Sequence, residues 1–203
     1  MERLFNFSLI FQMAAEFLPL VFLFFLKKQI NKSLKIFLIS SFISSFLLYL
    51  TGVFQINNLI IFNAYQGITI CTLSIFYFSI LKSHLFKIII VIIFSICFFT
   101  LIWELTKTSY LVSTLVVESF CYIIFALLFY IDYINSSKVN NQAKSYILIN
   151  TSIFIYNCFS VLNNLEIEKL MITNYWFIHN LIDGLLKLLI AIAIWKMPKT
   201  YLS

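Results

Sequence analysis

The 203-residue chain is 62% hydrophobic and 11% charged, against roughly 45–50% apolar and about a quarter charged in an ordinary soluble domain. That composition excludes a soluble globular fold. One transmembrane helix takes about 20 apolar residues, so seven would use about 140 and leave roughly 60 for tails and loops, which points to a single transmembrane domain over residues 1–203 with no room for an extramembrane module.

Seven apolar runs follow one another along the chain, each bounded by a polar cluster. The first, 5–26, carries Gln12, Glu16 and Pro19, and four lysines separate it from the second, 36–54. The third, 59–81, carries Asn63 and Gln66. The fourth, 86–103, is the most uniformly apolar, and the fifth, 109–131, holds Glu118 and Tyr122. Asn150 and Asn157 lie in the sixth, 146–162. The seventh, 175–195, contains His179, Asn180, Asp183 and Lys187. In hydrocarbon, backbone N–H and C=O groups must be satisfied within the segment, so these runs are expected to be helices. A β-barrel needs alternating segments of about ten residues, and the stretch 88–94, all Ile, Val and Phe, does not alternate.

Lysine placement sets the expected orientation, since cytoplasmic loops carry the excess of Lys and Arg. Lys27, Lys28, Lys32, Lys35, Lys82, Lys87, Lys138, Lys144, Lys196 and Lys199 fall on one side, ten against the three residues Arg3, Lys107 and Lys169 on the other. The expectation is an all-α, polytopic seven-transmembrane-helix bundle in the cytoplasmic (inner) membrane, N-terminus outside and C-terminus cytoplasmic. Trp103, Trp176 and Trp195 fall at span ends, where indole rings favour the headgroup interface. The first run continues past Pro19 without a small-residue cleavage site and is followed by lysines, so it reads as a retained helix and not a signal peptide.

The net charge of +6 is accounted for by these loop lysines. A nucleic-acid partner would need a clustered basic face on a folded module and is not expected; the lipid bilayer is. Cys71, Cys97, Cys121 and Cys158 lie in four different spans with no CxxC spacing, and His84 and His179 are not spaced to join them, so neither a zinc site nor another metal is expected and the cysteines read as small apolar helix residues. No loop is long enough to fold as an enzyme, and a His-rich metal cluster or an aspartate array is lacking. Low Gly and Pro content, with only Gly52, Gly67, Gly184, Pro19 and Pro198, leaves out the paired helix interruptions that mark many transporter sites. Pro19 removes one backbone donor beside Glu16, where a local kink is expected.

Four ionisable residues near span centres stand out: Glu16, Glu118, Asp183 and Lys187. A charge at the bilayer centre costs about 2.5–3.5 kcal/mol on insertion scales, so these groups should be paired, protonated or facing water. Asp183 and Lys187, four residues apart on one helix face, are the expected mutual pair. Three acids then face one lysine, and at least one of Glu16 and Glu118 is expected to be neutral, because burial without a cation favours the uncharged form. Trp176, His179, Asn180, Asp183 and Lys187 recur at steps of three and four and so share one face. The expected binding residues for a ligand or proton are Glu16, Glu118, His179, Asn180, Asp183 and Lys187, supported by Gln12, Asn63, Gln66, Tyr122, Asn150 and Asn157. Two readings stand for this set: a hydrated pocket or proton relay, and polar contacts that join helices at ~0.6 kcal/mol each on average.

Spans one to three also compare with spans five to seven. Glu16 matches Glu118, Asn57-Asn58 matches Asn163-Asn164, and Asn63-x-x-Gln66-Gly67 matches Asn180-x-x-Asp183-Gly184. Copies four spans apart would share orientation, as a parallel 3+1+3 repeat requires. The matches are short and their spacings differ, so ancestry and coincidence both stand.

The segment Trp176-Phe-Ile-His179-Asn180-Leu-Ile-Asp183-Gly-Leu-Leu-Lys187 resembles the last helix of small seven-helix membrane proteins from bacteria, a group with no established activity, so the resemblance implies the membrane architecture alone. Asp183-x-x-x-Lys187 also looks like the counterion and retinal-binding lysine of microbial rhodopsins. That family's third helix carries an Arg and acidic residues, and its sixth a Trp and a Pro. Residues 59–81 contain no charge, and 146–162 neither Trp nor Pro, so retinal on Lys187 is not expected and no cofactor is. The reading that results is an integral membrane sensor or signal-transducing component with a titratable intramembrane pocket, acting through a separate effector protein on its basic inner loops. A small 3+1+3 transporter or channel is the alternative, and an accessory subunit without its own site a third.

Overall fold

The computed structural model describes residues 2–25, 30–54, 59–105, 112–136, 141–166 and 173–197. They form seven helices: α1 (Glu2–Phe25), α2 (Lys32–Val53), α3 (Leu59–Ile80), α4 (His84–Leu105), α5 (Val112–Ile134), α6 (Asn141–Glu166) and α7 (Thr173–Lys196). No strand occurs among the described residues. Six of the helices, α1 to α6, are long and apolar enough to cross a membrane, as a multi-pass membrane protein requires. Large apolar side chains such as Phe25, Ile60 and Phe99 lie exposed; hydrocarbon solvates such a surface without penalty.

Most helices outrun the apolar runs that announce them, because hydropathy marks the part in lipid whereas a helix continues to where its end groups are satisfied. α2 begins four residues before its apolar run: the Asn31 side-chain oxygen accepts the Ser33 N–H at 2.9 Å, an N-cap. The Asn31 amide also donates to Ser79 Oγ at 2.7 Å and so ties the start of α2 to the end of α3. α1 continues as one helix through Pro19.

Two compact units result. One contains α1, α6 and α7, with α7 packed against both of the others. The second contains α2 to α5, with α3 touching α2, α4 and α5. In the second unit α2 and α3 run antiparallel, as do α4 and α5. Asn31 meets Ser79 while Ser41 meets Tyr65, and Cys97 meets Cys121 while Glu104 meets Thr114. Its lysines Lys32, Lys35, Lys82 and Lys87 therefore gather at one end. There the Asp132 carboxylate of α5 accepts the Lys82 N–H at 2.8 Å and the Ser83 N–H at 3.3 Å, capping the entry to α4 from a neighbouring helix. The units do not coincide with the two halves of the suggested duplication, since α1 groups with α6 and α7 and leaves α2 and α3 with α4 and α5.

Candidate functional site: a buried polar ladder of α1 and α7

On α1, Ser8, Gln12 and Glu16 recur every four residues. On α7, Asn180, Asp183 and Lys187 recur by three and four; both spacings keep side chains on one helix face. The structure joins them rung by rung. Asn180 Nδ2 donates to Ser8 Oγ at 3.3 Å, Gln12 Nε2 donates to Asp183 Oδ2 at 2.8 Å, and Lys187 Nζ lies 3.5 Å from Glu16 Oε1. Residue numbers rise together along the rungs, so α1 and α7 lie side by side and run in the same direction.

Close approach is built into the middle rung. A Cβ placed on Gly184 would fall 2.6 Å from Phe11 Cε1 and 3.4 Å from Gln12 Cα, so only a residue without a side chain lets the α1 backbone come this near. Burial is nearly complete: Glu16 is 4%, Asp183 6% and Lys187 7% exposed. In such surroundings the attraction between Glu16 and Lys187 is far less weakened than in water. The ladder carries two carboxylates against one ammonium, so a single proton or monovalent cation brings it to neutrality.

Asp183 and Lys187, the expected mutual pair one turn apart on α7, both lie in this ladder; Lys187 also reaches Glu16 on the neighbouring helix, and the Asp183 carboxylate accepts from the Gln12 amide. Intrahelical spacing identifies which residues share a face, not which neighbour the face meets. On α6, Asn150 is fully buried, and the Asn157 amide donates to the carbonyl of Ile153 on its own helix at 2.7 Å. His179 lies on α7, with its side chain outside the described residues.

The remaining expected site residues belong to the second unit. Tyr122 donates its hydroxyl to Glu118 Oε1 at 2.7 Å, one turn along α5, and both are buried. Gln66 is buried and Asn63 half-buried on α3. The set expected to form one cluster is thus divided between two units, each with its own buried carboxylate.

Ser8 escaped the sequence reading, although the four-residue step from Glu16 to Gln12 points straight to it. Glu104, just past the 86–103 run, is buried at the end of α4, and its carboxylate accepts the Thr114 N–H of α5 at 2.9 Å. Cys97 and Cys121, read as inert, have their sulfurs 2.8 Å apart. No spacing rule links residues on two helices whose register is unknown. Compared with known proteins, the chain matches no protein-family model, no curated protein and no solved structure.

Proposed function

We propose that this chain is a seven-crossing protein of the cytoplasmic membrane, N-terminus outside and C-terminus inside, with α7 as its seventh span. It works as a sensor or signal-transducing component. The observation that carries this reading is the ladder of α1 and α7: an ion pair, a surplus carboxylate and a close helix contact held by Gly184. Uptake of a proton or a small cationic ligand changes the charge of the ladder and with it the preferred packing of α7 on α1. The output then belongs to a separate effector that contacts the basic inner loops.

The reading predicts that a carboxyl group of the ladder responds when a proton or a small cation is added. Infrared carboxyl bands of the protein in lipid vesicles report it, with Asp183→Asn and Glu16→Gln assigning the band. The chain should also retain an effector in mild detergent, and lose it when Lys27, Lys28, Lys32 and Lys35 are replaced by Gln. A ladder whose carboxyl bands stay constant on acidification and on addition of cations, in a protein that elutes alone, overturns the proposal.

Transport is the second reading, favoured by the separate buried carboxylate Glu118 with its Tyr122 partner in the other unit; under it Glu16 and Glu118 are the equivalent acids of a 3+1+3 repeat. It predicts a proton or substrate flux across vesicles that Glu118→Gln abolishes. Flux that survives both Glu16→Gln and Glu118→Gln eliminates it.

A further inference from the structure

The Sγ atoms of Cys97 on α4 and Cys121 on α5 approach to 2.8 Å, with both cysteines in the thiol form. A disulfide bond is about 2.05 Å long, so closing the gap requires less than 1 Å of movement. The approach is not an isolated coincidence of rotamers. Seven residues further along α4, Glu104 meets Thr114, seven residues back along α5. Two contacts two helical turns apart share one antiparallel register, which fixes the sulfurs opposite each other. Around them pack Ile70 and Leu101 with the partly buried Ile93, Phe94 and Val117, the Glu118 carboxyl of α5 lies within electrostatic reach, and the two cysteines are 3% and 6% exposed. Cys71 and Cys158 lie on other helices, α3 and α6.

We infer that Cys97 and Cys121 form a reversible intramembrane disulfide that fastens α4 to α5, with a lipid-soluble quinone as the oxidant. The apolar side chains around the sulfurs select the oxidant class: a quinone dissolves in hydrocarbon and accepts two electrons together with two protons. Each thiol gives up its hydrogen, one S–S bond forms, and the two electrons and two protons reduce the quinone to its quinol. Ile93, Phe94 and Val117, which pack against the cysteine cluster, are themselves only half-buried. The inference is independent of the α1–α7 ladder, because all its residues lie in the second unit.

The test treats membranes containing the full chain with duroquinone, whose ring positions are all substituted so that it oxidises thiols without adding to them. Acid quenching, denaturation and maleimide labelling follow, and the labels per chain are counted by mass. Of the four cysteines, only Cys71 and Cys158 should label after quinone, and all should label after subsequent reduction by a dithiol. Peptide mapping should recover Cys97 joined to Cys121. Cys97→Ser should label at the other three positions whether or not quinone is added. Should that variant fail to fold, the peptide map of the unaltered protein decides alone. Full labelling after quinone, or a cross-link that includes Cys71 or Cys158, overturns the inference.

Discussion

Lys187 governs the electrostatics of the ladder, because it is the cation that faces Glu16 across two helices. Removing one partner of a buried ion pair leaves an uncompensated charge and typically costs about 3–5 kcal/mol. Lys187→Met should therefore lower stability by roughly that amount, and Glu16→Gln by less, since the amide remains polar and an ammonium can reach toward other oxygen atoms. The double variant should cost less than the sum, with a coupling of about 1–3 kcal/mol, read from thermal unfolding of the four proteins in one detergent. Strict additivity would show that the 3.5 Å contact has no energetic content. Asp183→Asn behaves differently: it keeps an oxygen to accept from Gln12 and removes one negative charge from the ladder, so stability should hold or rise. Gln12→Leu leaves the Asp183 carboxylate without that amide and should lower stability by about 1 kcal/mol.

Among the helices, the sharpest contrast is between two glycines. A methyl group on Gly184 meets the Phe11 ring and the Gln12 backbone, whereas one on Gly67 meets only Leu101 Cδ2 at 3.6 Å, an ordinary contact. Gly184→Val should push α1 from α7 and cost about 1–3 kcal/mol, as overpacking does. Gly67→Ala should be neutral or stabilising by up to about 1 kcal/mol through helix propensity. Equal effects of the two in a thermal-shift measurement would argue against the close approach of α1 and α7. Asp132 makes a second case: two backbone N–H groups at the entry to α4 depend on its carboxylate, and Asp132→Ala should cost about 1 kcal/mol, the usual worth of a helix cap. Sequence reading found each helix from its apolar run, but not these caps. Asn31 and Asp132 act on helix starts from outside the apolar periodicity, and Asp132 lies nearly fifty residues from the amides it satisfies.

Taken as a whole molecule, the chain shows why class was legible and pairing was not. Hydrocarbon removes the choice between helix and strand, so composition alone was enough to read seven helices, six of them apolar and long enough to cross. Which helices become neighbours depends on side-chain complementarity along whole faces, and the sequence offers only the faces. Thus Gln12, Glu16, Asp183 and Lys187 could be picked out as a set while their rung-by-rung pairing could not, and the division that leaves Glu118 and Tyr122 in another unit had no signal at all. Orientation is a property of the same scale. In the second unit Lys32, Lys35, Lys82 and Lys87 share one end, and the exposed residues Phe54 and Leu105 mark the ends of α2 and α4 away from it. Under the proposed orientation, Lys82→Cys in intact cells should resist a membrane-impermeant maleimide and react once the inner face is opened, while Leu105→Cys should react from outside. The native cysteines all lie within helices, so a fully cysteine-to-serine background keeps the readout clean. Labelling of Lys82→Cys in intact cells would invert the topology and move the effector-binding surface to the opposite face of the membrane.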